Sequence, residues 1–110
     1  MLKRYQVLLP EWLEDYLKWG VERSKVSFSE IIRLEVCLGV LATIEELHPE
    51  YKPGLALKDI LSAIKSFAQQ KPRKDKVSNF LSTIYFETRK AIEYRYSKTS
   101  GKLPTDSNLN

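Results

Sequence analysis

Lys3-Arg4-Tyr5-Gln6-Val7-Leu8-Leu9-Pro10 is the stretch on which the reading of this chain turns. Tyr5, Val7 and Leu9 alternate with Arg4, Gln6 and Leu8, the period of two of a half-buried strand. Facing Tyr5, Val7 and Leu9 inward leaves Arg4 and Gln6 in solvent, whereas the opposite phase buries a guanidinium and an amide. No later segment reads as a strand, and a lone strand has unpaired hydrogen-bonding edges. The same strand from a second molecule is the simplest partner. A two-stranded ribbon between chains, polar on its outer face, fits the major groove of DNA.

The residues that follow add weight. Pro10 suits the start of a helix, since its missing N–H is not needed there, and Glu11, Glu14 and Asp15 favour the positive end of the helix dipole. Leu13, Tyr16, Leu17 and Val21 fall at helical spacing and predict a core-facing stripe. Trp12 and Trp19 lie beside that stripe and read as edge packing. Gly20 costs about 1 kcal/mol against Ala inside a helix, a cost that close helix contact would explain. After a break at Ser24-Lys25-Val26, Ser27 and Glu30 form a capping box at the head of a second helix. The N–H groups at such a helix start also suit an anion.

Taken together, residues 3–41 resemble the ribbon-helix-helix family of dimeric DNA-binding repressors. The resemblance rests on Lys3-Arg4-Tyr5-Gln6-Val7-Leu8-Leu9-Pro10-Glu11, on a helix of similar length, and on Lys25-Val26-Ser27-Phe28-Ser29-Glu30-Ile31-Ile32-Arg33. It implies a mostly α fold in which one N-terminal strand pairs between chains; two further C-terminal helices, read from the apolar periodicity of the later residues, lie outside the resemblance. It also implies base reading by Arg4, Gln6 and Leu8. Phosphate contacts would come from Lys3, Lys25, Ser27, Phe28 and Ser29. Two positions depart from the family pattern: Leu8 stands where a polar reader is usual, and Phe28 where a basic residue is frequent.

The second helix is predicted to reach Leu47 and is too apolar for a surface helix. Ile31, Leu34, Leu38 and Leu41 make one face; Ile32, Val36, Gly39, Val40 and Thr43 make another. Both need cover, and the C-terminal half is the candidate for the second. His48-Pro49 ends the helix, and Tyr51-Lys52-Pro53-Gly54 reads as a connector. A third helix is predicted over 57–70 with Leu57, Ile60, Leu61, Ile64, Phe67 and Ala68 on one side. Lys71, Arg73, Lys74 and Lys76 form a basic loop with Asp75 as a cap. A fourth helix follows over about 76–96, with a stripe of Val77, Phe80, Leu81, Ile84, Thr88, Ala91 and Ile92. The domain plan is therefore 1–48 for DNA binding, 49–97 as a helical extension packing on the second helix or on a partner, and 98–110 as a disordered tail.

Composition bounds the rest. With 43% hydrophobic and 29% charged residues, a chain of 110 reads as ordinary globular protein, either one domain or one small domain with an extension. Residues 1–48 hold six Lys/Arg against eight Asp/Glu, a net of −2; residues 49–110 hold twelve against six, a net of +6, which together give the +4 of the whole chain. The basic half therefore lies outside the expected reading head. No apolar run is long enough for a bilayer and no stretch resembles a signal peptide, which predicts a cytoplasmic protein. Cys37 is the single cysteine and reads as a small core residue. One His and one Cys make no nucleophile–base pair and no metal spacing, so neither an enzyme nor a cofactor is expected. The expected partners are double-stranded DNA and a second copy of the chain. The alternative is a protein partner, as for an antitoxin whose C-terminal helices bind a toxin.

Overall fold

The structure, a computed structural model, describes residues 2–24, 26–70 and 72–99. Four helices make it up: α1 (Glu11–Ser24), α2 (Phe28–Leu47), α3 (Leu57–Gln70) and α4 (Lys74–Thr99). No strand occurs among the described residues. The expected β-ribbon is therefore corrected: residues 2–10 have no regular secondary structure. Tyr5 and Val7, assigned to a buried face, are each 72% exposed, and Leu8 opposite them is 99% exposed. The physical reason is that strand pairing needs a neighbouring edge, and among the described residues no other segment is extended beside this one to accept its backbone groups. The fold class is all-α.

Pro10 stands just outside α1, its carbonyl accepting from the Leu13 and Glu14 N–H groups, each at 3.0 Å. Leu17 is the buried residue of this helix, with Leu13 and Val21 half-buried beside it. Tyr16, expected on the core stripe, instead faces out next to Trp19. The predicted close approach at Gly20 is loose. A Cβ there would meet only Ile31 Cδ1, at 4.0 Å.

The capping box at the head of α2 forms as its sequence predicts. Ser27 Oγ accepts from the Glu30 N–H at 3.1 Å, and Glu30 Oε1 accepts from the Ser27 N–H at 3.4 Å. From there α2 runs through the middle of the molecule, packed on one side by α1 and on another by α4. Leu41 and Ile44 of α2 meet Ile60 of α3 and Ile84 and Ala91 of α4 in the core. Leu34, Cys37, Leu38 and Val40 pack against that cluster. Val36, Gly39 and Thr43 stay exposed, so only part of the second apolar face receives cover.

Helix α3 matches its predicted span, with Ile60 fully buried. Helix α4 starts two residues earlier than expected, at Lys74. Asp75 is thus in its first turn and pairs with Arg73 at 3.3 Å rather than standing outside as a cap. The helix also continues to Thr99, past the predicted start of the tail. The rest of that tail, residues 100–110, lies outside the described residues.

Candidate nucleic-acid interface

Residues 2–8 are exposed throughout. Lys3, Arg4, Gln6 and Leu8 all lie in this arm, and among the described residues the three polar ones form no hydrogen bond or ion pair with the chain. The arm becomes half-buried only at Leu9, where it joins α1. The predicted base readers thus share one short, uncommitted segment.

At the head of α2, Ser27 and Ser29 are exposed and Phe28 is half-buried. Lys25, the remaining predicted phosphate ligand, lies outside the described residues. The capping box sets the electrostatics here. Glu30 brings its carboxylate within 3.0 Å of Ser27 Oγ, placing a negative charge where a phosphate would approach. The box serves the helix end first, and a phosphate meets the Phe28 and Ser29 N–H groups only alongside that carboxylate.

The basic loop divides in two. Arg73 is tied to Asp75, whereas Lys74 and Lys76 stand exposed in the first turn of α4 with no ion-pair partner among the described residues. Lys71 lies outside the described residues. Further along α4 three cations are engaged locally: Arg89 with Glu93 at 3.0 Å, Lys90 over the Phe86 ring, and Lys98 over the Tyr94 ring.

A second polar cluster lies between the connector and α4. The connector between α2 and α3 is fastened to α4 at two points. The Gly54 N–H donates to Glu87 Oε1 at 3.0 Å, and Glu87 is a buried carboxylate. The Tyr94 hydroxyl donates to Glu50 Oε2 at 2.7 Å, while the Tyr51 ring stacks on Tyr94 at 4.7 Å. His48 Nδ1 lies 3.4 Å from the same Glu50 oxygen, and its ring meets Tyr94 edge-on. The Tyr94 hydroxyl holds the Glu50 carboxyl below its usual range, and the same bond raises Tyr94. Burial, then the Glu87 charge, raises Tyr51. The partners lie 33 and 44 residues apart in sequence. Only a Glu at a core-facing position of α4, and a Gly in the connector, hinted at them.

Among the described residues, no three His, Cys, Asp or Glu side chains gather to hold a metal, and no helix is long and apolar enough to cross a membrane. The chain matches no family model, no curated protein and no solved structure.

Proposed function

We propose that this is a homodimeric, sequence-specific DNA-binding protein of the transcriptional-repressor type, which meets the duplex with its N-terminal arm. The observation that carries the reading is the arm itself. Lys3, Arg4 and Gln6 are exposed and uncommitted to the rest of the chain, and such arms contact DNA in other helical DNA-binding folds. Gln6 has the donor and acceptor pair that matches adenine, and Arg4 suits guanine or a phosphate. Leu8, fully exposed, suits a thymine methyl. Ordering the arm on binding costs conformational entropy, so affinity depends on the backbone contacts that accompany it.

The test is selection from a pool of random duplexes, followed by fluorescence anisotropy on the enriched sequence. Gln6→Ala should lower the ratio of specific to random binding, since each bidentate base contact discriminates by roughly 1–3 kcal/mol. Arg4→Ala should weaken binding further. Failure of the pool to enrich any sequence overturns the reading.

A second reading, a helical protein-binding module of the antitoxin kind, is favoured by one feature. Val36, Gly39, Val40 and Thr43 of α2 and Ile92 and Arg95 of α4 line an open, mostly apolar groove. Apolar surface of that kind on a folded domain marks contact sites. Co-purification of one partner at fixed stoichiometry, with no enriched duplex, would favour this reading over the first.

A further inference from the structure

We propose that the cleft beneath the connector binds a small zwitterion with an apolar tail, a free hydrophobic α-amino acid being the simplest of the class. The cleft measures about 300 Å³, at the lower end of the range of small-molecule sites. Leu41 and Ile44 of α2 and Ala91 of α4 line it together with Tyr51, Pro53 and Leu55 of the connector. That lining suits an aliphatic or aromatic body.

Two further side chains give the ligand its charges. Glu45, near the end of α2, and Lys58, in the first turn of α3, both line the cleft. They do not pair with each other or with any other charged group among the described residues. An acidic and a basic residue bordering one cleft, left unbridged, suit a ligand whose ammonium reaches Glu45 and whose carboxylate reaches Lys58. A neutral apolar molecule uses neither charge, and a simple amine or acid uses one.

The cleft is also held ready. Glu87 anchors Gly54, and the Tyr51–Tyr94 stack with the Glu50–Tyr94 hydrogen bond anchors the other end of the connector. A site fixed before binding spares the ligand the cost of ordering it. None of the arm or basic-loop residues lines this cleft, so the inference stands or falls separately from DNA binding.

The test uses the full chain, with calorimetry and amide chemical shifts recorded against L-leucine and L-phenylalanine. Isoamylamine and isocaproate serve as probes lacking one charge each. Expected are a Kd of about 1 mM or tighter for at least one amino acid and shift changes centred on Tyr51, Leu55 and Leu57. Each single-charge probe should bind about two- to fivefold more weakly, as should L-leucine to Glu45→Gln or Lys58→Gln, since an ion pair to a solvent-exposed side chain is worth about that factor. Both side chains are exposed, so these variants keep the fold, which an unchanged melt verifies. No heat and no shift change with either amino acid at about 10 mM overturns the proposal. So does equal binding of a single-charge probe, or shift changes mapping away from the connector.

Discussion

Gly20 and Gly54 should respond in opposite directions to the same substitution, because one has room for a methyl group and the other does not. At Gly20 an added Cβ finds Ile31 Cδ1 at 4.0 Å, ordinary contact. Gly20→Ala should therefore stabilise by up to about 1 kcal/mol through helix propensity. At Gly54 the Cβ would lie 2.8 Å from Glu87 Oε2. That carboxylate is buried and accepts from the Gly54 N–H, so it cannot swing aside without losing the bond. Gly54→Ala should cost about 1–3 kcal/mol, and combining it with Glu87→Ala should cost less than the sum of the two. Thermal melts of the four variants check both signs. A second residue-level outcome concerns pH. Glu50 has its folded pKa depressed, chiefly by the Tyr94 hydroxyl. Its contribution is present above its usual 4.5 and disappears as pH falls through the lower folded value. Tyr94 is raised by the same bond, so its contribution is complete below its usual 10.0 and disappears as pH rises through the higher folded value. Tyr51, raised by burial, adds to the alkaline side. Melting temperature against pH should thus fall at both ends, and Tyr94→Phe should flatten the acid limb and part of the alkaline one. An acid limb unchanged in Tyr94→Phe would show that this bond does not hold the connector.

Helix α2 illustrates what its sequence can and cannot say. The Ser27/Glu30 pair placed its start and His48-Pro49 its end, because capping and helix breaking are local chemistry. Its two apolar faces were also legible. Which of them would be covered was not, because that depends on how α4 lies across it. Leu41 and Ile44 are buried, while Val36 on the same helix is 60% exposed. Helix α1 makes the same point: Tyr16 sits at helical spacing with Leu13 and Leu17, yet the stripe that reaches α2 is narrower than the apolar residues available. The N-terminal segment misled for a related reason. Alternation over seven residues specifies two faces but supplies no partner, and strand character needs one. For the element that does organise the fold, truncation is the decisive experiment. Residues 1–48 alone keep α1 and α2 but lose Ile60, Ile84 and Ala91, which close the core over Leu41 and Ile44. Each exposed Leu- or Ile-sized side chain costs about 1.5–3 kcal/mol, against a total margin of roughly 5–15 kcal/mol for a whole domain. The fragment should show no cooperative melt by circular dichroism. A sharp transition would mean that α1 and α2 are a self-sufficient unit and that α3 and α4 are an addition to it.

At the scale of the molecule, exposed aromatics and unbalanced charge both point outward to partners. Tyr5, Trp12, Tyr16 and Trp19 are between 54% and 72% exposed. At about 200 Å² per aromatic side chain they offer roughly 500 Å² from one end of the chain, a large share of the ~800 Å² per partner in a standard interface. Sedimentation equilibrium at micromolar concentration should give two chains per particle; a monomer would remove the homodimer from the proposed function. The charge calls for a separate test, since the +6 of residues 49–110 lies away from the arm. If the arms alone meet the backbone, Lys3 and Arg4 from two chains neutralise four phosphates, and log K falls with log salt at a slope of about −3.6. Lys74 and Lys76 give reason to expect more. Both sit in the first turn of α4, where the helix dipole disfavours cations, and neither is paired with an acid to offset that cost among the described residues. Arg73 is partly neutralised by Asp75 at 3.3 Å, so its share should be smaller. We expect the wild-type slope to exceed the arm-only value, and Lys71, Arg73, Lys74 and Lys76→Ala together to reduce it by about 1–3, with the ratio of specific to random binding intact. That result makes the loop a backbone contact that positions the dimer without reading sequence. An unchanged slope would free the loop for an acidic protein surface and strengthen the protein-binding reading. Complete loss of binding would overturn the division of labour, because a loop that only touches phosphates cannot carry all of the affinity while the arm reads the bases.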